Sequence, residues 1–226
     1  MTWSFLLKKT EQEMKIYYLP PIIKALAFDM DLTLYSNAEY GKYQVDSLIG
    51  KMGEKLCLSF NEMKRKVEEA RKDWAASHNG KKPSLTNIMS VFGIGMDENI
   101  RWRCECYDPG DFIKEDRRLK ETLDELSARY ILGVVTNNPV LIARKTLAAL
   151  GVEDRFRVLV GLDTSRITKP DRIPFDLFSG LSSCRRENCV SIGDRYDIDL
   201  DVPLEMGMGG ILVDGVEDVY KLTSIL

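Results

Sequence analysis

Short apolar runs recur along this chain, and most of them end in polar residues. They occupy 22–28 (IIKALAF), 130–136 (YILGVVT), 156–161 (FRVLVG), 188–194 (NCVSIGD) and 209–214 (GGILVD). None sustains an apolar–polar alternation, so each reads as a strand covered on both faces, as in a parallel sheet. Helical periodicity fills the intervals. Leu119, Leu123 and Leu126 share one face, and Asn138-Pro139 suits the cap and first turn of a helix that ends at Gly151. Strands alternating with helices predict right-handed crossovers and an α/β, doubly wound parallel sheet. Ligands of such sheets bind beyond the carboxyl ends of the strands.

One segment breaks the alternation. Residues 36–111 contain no convincing strand but carry helical stretches such as FNEMKRKVEEARKDWAA and SLTNIMSVFGI, with SHNGKKP as a turn between them. The expected organisation is a core domain made of 1–35 and 112–226, interrupted by a helical insertion at 36–111. Met14 begins a stretch that reads like a natural start, so 1–13 is expected to be a short extension.

Composition narrows the chemistry. Of 226 residues, 44% are hydrophobic and 30% charged, and the formal net charge of −3 supplies no overall attraction to a nucleic acid polymer or an anionic membrane. Lys64, Arg65 and Lys66 alternate with Glu62, Glu68 and Glu69 at helical spacing, the pattern of a solvated face. No apolar run approaches the roughly 20 residues of a membrane span, so a cytoplasmic protein is expected. Five scattered cysteines read as free thiols, and His78, the single histidine, sits in a polar turn. Acid–base work therefore falls to carboxylates.

The strand ends supply them. Asp29, Asp31 and Thr33 follow the first run; Thr136 and Asn137 follow the second; Lys169-Pro170-Asp171 precedes the fourth; Asp194, with Asp197 and Asp199, follows it. In the expected sheet these groups meet at one edge. Clustered carboxylates repel one another unless a cation lies between them, and an oxygen-only set suits Mg²⁺. The Thr136 hydroxyl and the Lys169 ammonium suit a phosphate dianion.

Taken in order, DMDLT, TNN, KPD and GDRYDID resemble the four motifs of the haloacid dehalogenase superfamily of phosphatases, over about residues 22–216, with the helical insertion where that superfamily carries its cap domain. The resemblance implies a Rossmann-like core and a Mg²⁺-dependent phosphomonoesterase acting on a small phosphorylated metabolite. It implies Asp29 as nucleophile and Asp31 as general acid and base. Thr136, Asn137 and Lys169 would bind phosphate. Asp29, the Asp31 carbonyl and Asp194 would hold the metal, with Asp199 nearby and Thr33 steadying the turn; Asp197 is a weaker candidate. Asp31 argues against dehalogenation, which needs no proton for a leaving alkoxide. A phosphomutase of the β-phosphoglucomutase type and a non-catalytic binding protein on this fold stay open as alternatives.

DMDLTLY and YDPGDFIKEDRRLKETLDEL are similar to the pyrimidine 5′-nucleotidase branch, while phosphoglycolate phosphatases share the core and a similar cap. A nucleoside monophosphate and 2-phosphoglycolate are thus both candidate substrates, with Tyr35, Tyr40 and Tyr43 as candidate specificity residues near the cap entry. Hinges are expected at 36–37 and 109–111. Oligomeric state is not legible.

Overall fold

A computed structural model describes residues 14–78, 80 and 83–226; the expected extension at 1–13 lies outside the described residues. Six strands form one sheet: β1 (Lys15–Tyr18), β2 (Ala25–Phe28), β3 (Ile131–Val135), β4 (Val158–Val160), β5 (Cys189–Gly193) and β6 (Gly209–Leu212), in the order β1-β6-β5-β2-β3-β4. All neighbours are parallel except β1, which runs antiparallel to β6. The five apolar runs thus become the five parallel strands. Only 25–28 of the first run pairs, and Ile22 lies exposed. The edge strand β1 was not legible, because all four of its residues are exposed and no inward face marks the sequence.

The helices are α1 (Ala38–Leu56), α2 (Phe60–Ser77), α3 (Leu85–Val91), α4 (Met96–Cys106), α5 (Arg117–Ser127), α6 (Val140–Leu150), α7 (Leu162–Ser165), α8 (Ile173–Ser182), α9 (Asp201–Glu205) and α10 (Val216–Val219). Successive β2 side chains enter two different cores. Leu26 and Phe28 pack with Leu119, Leu123 and Leu126 of α5 and Ala143 and Leu147 of α6; Ala25 and Ala27 pack with Phe175 and Phe178 of α8. Covering both faces leaves no polar side for the strand, which is why its sequence runs apolar throughout. α6 ends at Gly151, whose φ of 76° suits glycine.

Helices α1 to α4 come from the interrupting segment, and no strand occurs among its described residues. They bury Leu48, Ile49, Met52, Met63, Val67, Ile88, Met89 and Trp102 against one another, together with Ile142 of α6. Side chains cap the starts of α1, α2 and α3: Asn37 accepts from the Tyr40 N–H (2.9 Å), Ser59 and Glu62 form a capping box, and Ser84 accepts from the Asn87 N–H (3.1 Å). Asn37 Nδ2 also donates to Phe112 O at 2.8 Å, which ties together the two connections between this segment and the sheet.

Candidate active site

The Asp29 N–H donates to Ile192 O at 2.8 Å, so the sheet's hydrogen-bond ladder reaches the aspartate itself. The chain then turns. The Leu34 N–H donates to Met30 O (2.9 Å), Leu32 takes a left-handed φ of 64°, and Met30 and Leu34 anchor the turn in the core. Thr33 is fully buried and closes this turn through its own N–H to Met30 O (3.2 Å); its hydroxyl has no partner among the described residues.

Lys169 is 3% exposed, and its Nζ lies 2.6 Å from Asp29 Oδ1 and 2.6 Å from Asp199 Oδ1. Burial works against its charge, but Asp199 and Asp29 outweigh burial and hold the ammonium protonated well above its usual range. Asn137 positions it: Asn137 Oδ1 accepts from the Lys169 N–H (2.7 Å) and Nδ2 donates to Lys169 O (3.3 Å). Both amide atoms expected at the phosphate thus hold the lysine's backbone. Thr136 is buried beside them, its hydroxyl accepting from the Asn138 N–H at 3.2 Å, which leaves the hydroxyl proton for another acceptor.

Asp199 lies in a π-helical turn, Tyr196–Leu200, after β5. Its carbonyl accepts from Ser191 Oγ (2.7 Å) and its Oδ2 from the Arg195 N–H (3.1 Å). Gly193 makes this placement possible, since a Cβ there would lie 2.4 Å from Asp199 Cβ. Carboxylate oxygens of Asp29, Asp194 and Asp199 come within 4.8 Å of one another. An all-oxygen set of this size fits a hard divalent cation. The Asp31 carboxylate is not among the three. Asp197 is exposed and pairs with Arg195 at 3.0 Å, and Asp171 caps the approach to α8 by accepting from the Ile173 N–H (2.9 Å).

Asp31 instead faces the interrupting helices. Its Oδ1 accepts from the Tyr35 hydroxyl and, at 3.4 Å, from Gln44 Nε2; its Oδ2 accepts from Asn138 Nδ2 at 2.9 Å. Burial and the charge of Asp29 raise its pKa, against the pull of Tyr35, Gln44 and Arg103. A raised carboxyl keeps its proton to higher pH and suits a general acid.

Sequence patterning missed three residues here. Asn138 was expected to cap α6, yet Pro139 occupies the cap position, Asp163 Oδ1 accepts from the Val140 N–H (2.9 Å), and the Asn138 side chain joins Asp31 to Arg103. Arg103 is a buried cation at a helical position, with Asn99 and Tyr107 one turn to either side; that polar stripe was the available signal. Gln44 gave none. Of the three tyrosines, Tyr35 touches Asp31, Tyr40 is buried with rings of Tyr35, Tyr107 and Phe112 around it, and Tyr43 packs on Phe112 and donates to Cys106 O (2.8 Å). A wide surface depression of about 520 Å³ lined by Arg144, Gly151 and Phe156 lies at the far end of α6, away from these groups.

The chain matches the haloacid dehalogenase-like hydrolases over residues 23–207. It belongs to that family. The matched span contains every strand-end group described above, and the protein is a hydrolase. It is 28% identical over 181 residues to a phosphoglycolate phosphatase of Haemophilus influenzae (strain 86-028NP), covering 76% of this chain and 77% of that one. It is 25% identical over 197 residues to a glyceraldehyde 3-phosphate phosphatase of Methanothermobacter thermautotrophicus, covering 85% and 86%. A HAD phosphatase from Thermococcus onnurineus superposes with a TM-score of 0.55 at 21% identity over 83% of this chain and 85% of its own; a β-phosphoglucomutase from Clostridium difficile gives 0.52 at 16% over 91% and 100%. These two likenesses show the fold.

Proposed function

We propose that this hydrolase is a phosphomonoesterase that cleaves a small phosphorylated metabolite through an aspartyl-phosphate on Asp29, with Mg²⁺ bound at Asp29, Asp194 and the Asp31 carbonyl. The observation that carries the reading is Lys169 held between Asp29 and Asp199 at 2.6 Å from each, with Asp31, two residues beyond Asp29, raised by burial and by the charge of Asp29. Relatives named for phosphoglycolate and glyceraldehyde 3-phosphate support a short phosphoester rather than a nucleotide.

The bound cation would supply charge to the phosphoryl oxygens and offset the repulsion among the three carboxylates. Asp29 attacks phosphorus with one carboxylate oxygen, forming the new O–P bond as the ester O–P bond breaks. Asp31 gives its proton to the departing alkoxide. Now a carboxylate, Asp31 takes a proton from water, whose oxygen attacks the same phosphorus and frees Asp29 with inorganic phosphate. Lys169 and the Thr136 hydroxyl stabilise charge on the transferring group, and Asn137 holds the lysine in place. Asp199, bonded by the Arg195 N–H and Lys169, fixes the lysine rather than reacting. Helices α1 to α4 serve as a cap domain over 36–111 on a core of 1–35 and 112–226, hinged at 36–37 and 109–111.

The test is phosphate release from 2-phosphoglycolate, glyceraldehyde 3-phosphate, UMP and p-nitrophenyl phosphate, with Mg²⁺ and with EDTA. Release that requires the metal, accompanied by a phosphorylated Asp29 peptide in acid-quenched samples, supports the reading. No release from any ester with Mg²⁺ present overturns it.

A further inference from the structure

Arg103 stands beside the site with no part in this mechanism. It is 8% exposed, yet all its hydrogen bonds go to neutral oxygens: Nε to Asn99 Oδ1 at 2.8 Å, Nη1 to Asn138 Oδ1 at 2.8 Å, and Nη2 to Thr86 Oγ1 at 3.4 Å. Among the described residues no carboxylate forms an ion pair with it. A guanidinium removed from water with no directly bonded counter-ion, its charge reaching Asp31 only across Asn138, is unfavourable. Its fork is nevertheless fixed, by Asn99 and Thr86 on one side and by the Tyr107 ring 5.7 Å away. Of five N–H donors, the three bonds above leave two.

We infer that Arg103 receives a second anionic group of the substrate, and that the substrate is a phosphorylated short-chain hydroxy acid whose carboxylate lies one or two carbons from the ester oxygen. The inference rests on the phosphatase reading above. Its geometry comes from Asn138, whose single carboxamide bonds Arg103 through Oδ1 and Asp31 through Nδ2 (2.9 Å). One amide and two hydrogen bonds separate the guanidinium from the Asp31 carboxylate by no more than about 8 Å. Asp31 must meet the leaving oxygen, so a group that meets Arg103 at the same time lies only a short arm from that oxygen. A carboxylate on the adjacent carbon fits this span, and a planar guanidinium matches a carboxylate through two parallel bonds. Glyceraldehyde 3-phosphate and the simple alkyl phosphates carry no such anion and would leave Arg103 unpaired. A nucleoside would place its bulky ring in the same space.

The experiment compares kcat/KM for 2-phosphoglycolate, glyceraldehyde 3-phosphate and ethyl phosphate in the wild-type protein with Mg²⁺, then repeats it for Arg103→Met and Arg103→Lys. A site built to pair a charged group discriminates against the analogue lacking it by about 100-fold or more. The expected wild-type preference for 2-phosphoglycolate over ethyl phosphate is of that size. It should fall at least about tenfold in Arg103→Met, with part of the preference restored in Arg103→Lys. The wild-type ratio needs no variant, so a variant that fails to fold does not remove the test; glycolate should then inhibit far better than glycolamide. A wild-type ratio near one, or an unchanged ratio in Arg103→Met, overturns the inference while leaving the phosphatase reading intact. Release from no ester at all overturns both.

Discussion

Replacing Lys169 with methionine removes the cation between Asp29 and Asp199 while keeping most of the side chain's volume. Two carboxylates that each had an ammonium at 2.6 Å would then face one another in a nearly water-free site. Removing one member of a buried ion pair costs about 3–5 kcal/mol. Two like charges roughly 4 Å apart at an effective dielectric near 20 give about 4 kcal/mol by a separate route. Either figure is a large share of the roughly 5–15 kcal/mol that holds an ordinary domain folded.

The loss should depend on pH. In the intact site Asp199 is already raised from 3.8 to about 6, by burial first and then by Asp29, against the pull of Lys169. Without the lysine it rises further. A carboxyl whose folded pKa exceeds its unfolded one binds its proton more tightly in the fold; that contribution is full below the unfolded value and is lost as pH climbs through the folded one. The variant's deficit should therefore be smallest below about pH 6 and grow as the pH climbs beyond it. Mg²⁺ should recover part of it, because the ion binds the fold and not the unfolded chain. Urea denaturation followed by tryptophan fluorescence, at several pH values with Mg²⁺ or EDTA, measures this. A deficit below about 1 kcal/mol at pH 7.5, or one that ignores pH, would refute the assignment of Lys169 as the counter-ion of this pair.

Other perturbations probe neighbouring parts of the site. Gly193→Ala brings a Cβ to 2.4 Å from Asp199 Cβ, so Asp199 must shift and Lys169 loses its fixed partner; kcat/KM with Mg²⁺ should fall at least about tenfold, with about 1–3 kcal/mol of stability lost in urea unfolding. Tyr35→Phe removes a donor to Asp31 that holds its pKa down, so the alkaline limb of the kcat/KM profile should move to higher pH; movement to lower pH would contradict the general-acid role. Leu123→Ala, fully buried between α5 and the sheet, should cost about 2–5 kcal/mol in thermal or urea unfolding and leave the substrate preference unchanged.

The parallel strands were legible because both faces of each are buried, which writes an apolar run into 25–28, 131–135 and 189–193. The acidic residues at their ends stood out against those runs, and Asp29, Asp194, Asp199 and Lys169 do come together. Strand β1 was invisible for the opposite reason, since an exposed edge held by backbone bonds leaves no side-chain period. Asn138 was misread because one residue type serves equally as helix cap and as a bridge between side chains, and only the Pro139 backbone and the position of Asp163 decide between them. Arg103 was hidden in a segment rich in solvated charges. Its burial depends on how α4 packs against α1, α3 and α6, which local periodicity does not encode.

The most direct test of the account is phosphate release by wild-type protein and by Asp29→Asn, assayed side by side with Mg²⁺ on the best of the short phosphoesters. The account predicts that the variant still folds, with Lys169 paired to Asp199, but loses turnover by at least about 10⁴-fold, because the attacking oxygen is gone. A folded Asp29→Asn protein that retains a tenth or more of the wild-type rate would contradict it.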